Sequence, residues 1–198
     1  MNFDLVIIGS GPGGYVAAIR GSQLGLNVAI VEREALGGVC LNWGCIPTKS
    51  FLRSAEVLKI IKSSEKYGIK SELGEVDIRE VVKRSRSIAK KLSSGVEHLL
   101  KKNKVKIFAG EASFKSSTSI KIKSKSNLIQ EISSKNICIA SGGRPRQISG
   151  ISNSSDVWFY KDALQVDMIP KKLLVVGSGA IGVEFASFFA QMGSDVSL

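Results

Sequence analysis

The chain repeats its own opening. Leu5-Val6-Ile7-Ile8-Gly9-Ser10-Gly11 returns as Leu173-Leu174-Val175-Val176-Gly177-Ser178-Gly179, 168 positions later. The match continues with Gly14 and Gly182, Gly25 and Gly193, Val28 and Val196. Four consecutive apolar residues running into glycine describe a short strand buried on both faces. In the first copy, Tyr15 to Leu24 reads as a helix, and Asn27-Val28-Ala29-Ile30-Val31 as a second strand ending in Glu32. This is a βαβ unit with G-x-G-x-x-G in its first turn and an acid 23 positions after the first glycine. Parallel strands need a helical crossover that covers the sheet, so the repeat constrains the chain to an α/β fold.

The same spacing carries chemistry. Gly9, Gly11 and Gly14 permit a tight turn and let the backbone approach a pyrophosphate at a helix N-terminus, while Glu32 can accept from ribose hydroxyls. Gly177, Gly179 and Gly182 open a second turn of this kind. The apolar run from Leu173 to Met192 has a membrane-like composition, but Glu184 in its middle and three glycines at fingerprint spacing make it strand, turn and helix.

Between the two copies lies Gly37-Gly38-Val39-Cys40-Leu41-Asn42-Trp43-Gly44-Cys45-Ile46-Pro47-Thr48-Lys49. Pro47 suits the first turn of a helix, and Phe51, Leu52, Ala55 and Leu58 follow at helical spacing to about Lys66. A Cys40–Cys45 bridge requires the preceding loop to bend back, which Gly44 and the Gly37-Gly38 pair make cheap. At the helix start, Cys45 would feel the positive end of the dipole, which favours thiolate. Taken alone, the pair reads better as a structural bridge or two buried thiols; beside a dinucleotide fold it reads as redox-active. Three cysteines are an odd number and no signal peptide is visible, so a reducing cytoplasmic setting is expected. One histidine and no second cysteine pair leave a zinc site short of ligands.

The rest of the chain sorts by period. After a loop at Gly68 to Gly74, Asp77-Ile78-Arg79-Glu80 has the form of a capping box. A long amphipathic helix follows, with Ile78, Val81, Val82, Ile88, Ala89, Leu92, Val96, Leu99 and Leu100 as its stripe and His98 beside it. Val105 to Ala109, Ser119 to Lys123 and Ile129 to Ser133 read as an antiparallel meander. Asn136 to Ala140 is a further strand with Cys138 as a small core residue, and Ser141 to Pro145 is a turn open to a ligand. The net charge of +11 gathers partly between Lys101 and Lys125, where lysines alternate with apolar and serine residues. That segment has no arginine and no nucleic-acid motif, so it reads as a solvated face, with neither a nucleic-acid nor a membrane partner expected.

Two nucleotide units around a Cys-x4-Cys pair resemble the flavin disulfide reductases over essentially the whole chain. Leu36 to Lys49 is most similar to the lipoamide-oxidising members; glutathione and mercuric reductases are the alternatives, as is a flavin-binding remnant without activity. Ser141 stands where that family usually has threonine, and Trp43 where valine is common. The resemblance implies an α/β, Rossmann-like FAD-binding domain with an antiparallel meander at residues 1–145. A connector at 146–170 and the start of a second Rossmann-like domain, for NAD, at 171–198 follow. It implies that Gly9, Gly11, Gly14 and Glu32 hold the adenosine and pyrophosphate of FAD, with Gly110, Ser141 and Gly142 approaching by backbone. Cys40 would be the interchange thiol and Cys45 the flavin-side thiolate. Lys49 would sit by the reactive flavin nitrogen and pair with Glu184, and Gly177, Gly179 and Gly182 would cradle NAD. The implied reaction is oxidation of dihydrolipoamide by NAD+, with a lipoyl-bearing acyltransferase subunit of a 2-oxo acid dehydrogenase complex as partner and a homodimer at full length. The family's acid–base histidine and dimer domain lie further on, so the chain reads as an N-terminal fragment, inactive alone. The counterpart of Glu32, which separates NAD from NADP, would fall at position 200.

Overall fold

Apolar residues fill β1 (Asn2–Ile8) and β2 (Val28–Glu32), which pair in parallel with Leu5 opposite Val28. Between them runs α1 (Pro12–Gln23), started by Pro12, whose missing N–H is harmless there. The computed structural model describes residues 1–146, 148, 150 and 154–198. These form two compact units, residues 1–42 with 90–144, and residues 43–89 with 145–198.

The first unit is built on one six-stranded sheet in the order β3-β2-β1-β6-β5-β4. Here β3 is Lys106–Ala109, β4 Glu111–Ser116, β5 Ser119–Lys123 and β6 Ile129–Ile139. Strand β6 serves two neighbours. Its first residues pair antiparallel with β5, with Ile132 opposite Ile120, and its last residues pair parallel with β1, with Cys138 opposite Ile7. Alternation along β5 puts Ile120 and Ile122 inside, and they join Ile132, Val31, Phe108 and Phe3 in one core. Phe3 and Phe108 meet edge to face at 6.0 Å.

Three expectations need correction here. The meander is β4-β5-β6, because the strand at 106–109 joins the parallel sheet beside β2. Strand β4 has no apolar run to announce it, its pattern EASFKS being mostly exposed. The segments 129–133 and 136–140, expected as separate strands, are one strand, and Cys138 on it is half-buried rather than core.

The helices between β2 and β3 also differ from expectation. Residues 38–43 form a short helix, α2 (Gly38–Trp43), where a loop was expected, and α3 (Cys45–Lys62) begins at Cys45 rather than Pro47. A 3-10 turn at Ser64–Tyr67, ended by Gly68 at φ 74°, covers the rest of the expected helix. The long helix α4 (Ile78–Lys102) starts where Asp77 Oδ1 accepts from the Arg79 N–H at 2.9 Å. Of its expected stripe Ile78, Ala89, Val96 and Leu100 are buried, while Leu92 and Leu99 are exposed; His98 is exposed too.

The second unit gathers around aromatic rings. α5 (Tyr160–Ala163) and β7 (Lys172–Leu174) lead to α6 (Ala180–Met192) and β8 (Asp195–Ser197). The connector's residues 147, 149 and 151–153 lie outside the described residues. Phe185, Phe188 and Phe189 of α6 pack with Phe51 and Ala55 of α3 and with Leu164, and Phe51 and Phe188 lie 4.6 Å apart. β7 and β8 pair in parallel with Leu173 opposite Val196, the register of β1 and β2 carried 168 positions on. Phe188→Ala should therefore lower stability by about 3–5 kcal/mol, read as an earlier urea midpoint.

Candidate functional site

The parallel strands of the first unit all deliver their carboxyl ends to one place. Pairing continues one residue past each: the Gly9 N–H donates to the Val31 carbonyl, the Gly110 N–H to Glu32 and the Ala140 N–H to Ile8, each at 2.8 Å. A cleft of about 170 Å3 opens there, lined by Gly9, Glu32, Gly110, Ser141 and Gly142 among others. Between β1 and β6 the order of strands reverses, which is where open α/β sheets bind ligands.

The glycines explain the closeness. A Cβ on Gly14 would lie 1.9 Å from the Gly9 carbonyl oxygen, and one on Gly9 (φ 101°) 2.3 Å from that of Ala140. Gly110 is tight for another reason, since a Cβ there would press on the Lys123 carbonyl at 2.7 Å. Gly11 differs: among the described residues nothing lies within 4 Å of its missing Cβ, and no side chain caps α1. The first N–H groups of α1 thus remain available to an anion that comes close.

Glu32 organises the turn from β2. Its Oε2 accepts from the Ser10 N–H at 2.9 Å and the Ser10 hydroxyl at 2.6 Å, and its Oε1 accepts from the Glu34 N–H at 2.8 Å. A carboxylate offers about four acceptor positions, so room is left for a ribose hydroxyl. Ser10 is fully buried, and sequence reading missed it; its one signal is the return of Gly-Ser-Gly at Ser178.

The cysteine segment starts at this turn. The Gly37 N–H donates to the Ser10 carbonyl at 3.0 Å, and a Cβ on Gly38 would strike Gly11 Cα at 2.6 Å. Asn42, also missed, donates through Nδ2 to the Leu36 and Gly38 carbonyls, and the Ser93 hydroxyl donates to Leu36 at 2.7 Å. Cys40 is half-buried on α2.

In the second unit Cys45 is the first residue of α3 and is exposed. Lys49, one turn on, pairs with Glu184 of α6. Burial works to raise the Glu184 carboxyl, but hydrogen bonds from Lys49 and the Thr48 hydroxyl prevail and hold it below the usual glutamate range. The turn before α6 repeats the first: Gly177 has φ 120°, and a Cβ on Gly182 would lie 2.0 Å from its carbonyl oxygen. Gly179, like Gly11, faces open space among the described residues.

The profile of the pyridine nucleotide-disulphide oxidoreductases matches residues 3–198. The chain belongs to that family. Dihydrolipoyl dehydrogenase of Zymomonas mobilis is 48% identical over 198 residues, covering 100% of this chain and 42% of the relative. The Rhizobium etli protein of that name is 49% identical over 214 residues (100% and 44%), and that of Geobacillus stearothermophilus 41% over 195 (98% and 41%). The chain thus spans less than half the length of these relatives. Family membership brings FAD and NAD(H) as cofactors, and the uncapped α1 start with the glycine-lined cleft fits the first of them. Among the described residues no helix is long and apolar enough to cross a membrane.

Two outcomes are expected. Gly11→Ala should fold like the parent yet bind FAD at least about tenfold more weakly, the loss of one charge-assisted bond, whereas Gly14→Ala should lose about 3 kcal/mol of stability. Flavin titration and urea unfolding separate the two. Glu184 should add stability that is complete above its ordinary pKa of about 4.3 and lost as pH falls through its lower folded value. Melting curves taken downward from about pH 6 to pH 3 should therefore fall less steeply for Glu184→Gln than for the parent.

Proposed function

We propose that the chain belongs to an enzyme oxidising protein-bound dihydrolipoamide to lipoamide, with FAD as carrier and NAD+ as acceptor. The observation that carries this reading is the Gly37–Ser10 hydrogen bond, which ties the Cys40 segment to the glycine turn of the dinucleotide fold. The names of the relatives support the choice of substrate.

In this reading Cys40 and Cys45 form a disulfide in the oxidised enzyme. A substrate thiolate attacks Sγ of Cys40, forming a mixed disulfide and releasing Cys45 as thiolate. The N-terminus of α3 stabilises that charge. The second substrate thiol then displaces Cys40, so substrate leaves as a disulfide and both cysteines are reduced, a two-electron balance. FAD, when bound, supplies the acceptor for those two electrons and their route to NAD+. Lys49, held by Glu184, keeps a cation one turn beyond Cys45. Gly9, Gly11, Gly14, Glu32, Gly110, Ser141 and Gly142 hold FAD, and Gly177, Gly179 and Gly182 receive NAD. The domain layout follows: FAD-binding over 1–145, a connector over 146–170 and the opening of the NAD-binding domain over 171–198. The partner is a lipoyl-bearing acyltransferase subunit of a 2-oxo acid dehydrogenase complex, the complete enzyme is a homodimer, and its compartment is the cytoplasm.

The test is to exchange each thiol in the flavin-loaded protein. Cys40→Ser should show a long-wavelength charge-transfer band without reductant, and Cys45→Ser should lack it. The reverse pattern would exchange the two roles, and a band in neither would sink the assignment. NAD+ reduction should follow dihydrolipoamide; a preference for glutathione with NADPH would replace the substrate named here.

A further inference from the structure

Three consecutive residues of α4 grip the chain on both sides of Cys45. Arg84 Nη1 donates to the Ser50 carbonyl at 3.2 Å and to its hydroxyl at 2.8 Å. The buried Ser85 hydroxyl donates to the Pro47 carbonyl at 3.4 Å. The Arg86 guanidinium lies over the Trp43 ring, 4.2 Å from its centre, and Lys161 of α5 adds its ammonium at 5.5 Å. Burial lowers the Arg86 pKa, and a desolvated cation binds an aromatic face more strongly than an exposed one.

Cys45 lies between the gripped Trp43 and Pro47, and the residue before it is Gly44, the N-cap of α3. The benefit of a helix N-terminus to a thiolate falls off within one turn, so it depends on how that first turn is held. We propose that Arg86 is a positioning residue for Cys45: through Trp43 it fixes the start of α3 so that the helix N-terminus faces the thiolate. This rests on Cys45 being a working thiol in the reaction proposed above. Among the described residues, charged groups in contact with the residues around this turn include Lys49 of α3, Glu184 of α6, Arg84 and Arg86 of α4 and Lys161 of α5.

The test follows the charge-transfer band of flavin-loaded Cys40→Ser as pH is varied, since its midpoint reports the Cys45 thiolate. Arg86→Met should raise the midpoint by about half a pH unit or more, the size of a partly desolvated cation–ring contact. Arg86→Lys, which keeps a cation over the ring, should stay near the parent. Trp43→Leu should raise the midpoint similarly, and adding Arg86→Met to it should add nothing, because the two act as one. An unmoved midpoint in flavin-loaded Arg86→Met overturns the proposal. So does a full further shift on the Trp43→Leu background, which would make Arg86 a direct electrostatic partner. Should Arg86→Met fail to hold flavin, Trp43→Phe against Trp43→Leu makes the same decision: the aromatic variant must keep the midpoint that the aliphatic one loses. Absence of any band in the Cys40→Ser parent would count against the reaction itself, so the two failures are distinguishable.

Discussion

Everything in the first unit depends on how closely α1 can approach the end of β1. The Gly9 carbonyl sits where a Cβ on residue 14 would be, so helix and strand meet backbone to backbone. That contact points the first N–H groups of α1 over the carboxyl ends of the parallel strands. It also places Ser10 where its carbonyl can receive Gly37 and its hydroxyl can reach Glu32. A larger residue at position 14 would separate all three at once.

The second unit uses the same geometry for a different load. Gly177 and Gly182 reproduce the close approach, and the helix they start carries Glu184 one turn in, opposite Lys49. One short helix thus combines a glycine turn, an acid that fixes the lysine beyond Cys45, and three phenylalanines that anchor it to α3. Lys49 is largely exposed, so the ion pair's value lies in orientation more than in stability.

Both glycine turns and the parallel pairing of β1 with β2 were legible because each rests on local spacing: apolar runs, glycines at fixed offsets, an acid at a strand end. Strand β4 was not, since an edge strand with one face in solvent needs no apolar run. The division of β6 between two partners was hidden because its middle residues, Ser133 to Lys135, look like a turn. The grip on α3 was invisible for a further reason. Arg84, Ser85 and Arg86 interrupt the apolar stripe of α4, and polar residues in such a helix read as solvated until their partners are seen.

Because β6 belongs to the meander at one end and to the parallel sheet at the other, the two pairings cannot drift independently. A one-residue slip between β5 and β6 would turn Ile132 away from Ile120 and Ile122 or draw Ser141 out of line with Gly9. The meander therefore acts as a gauge. Its isoleucines set where the Ser141-Gly142 turn comes to rest at the edge of the cleft.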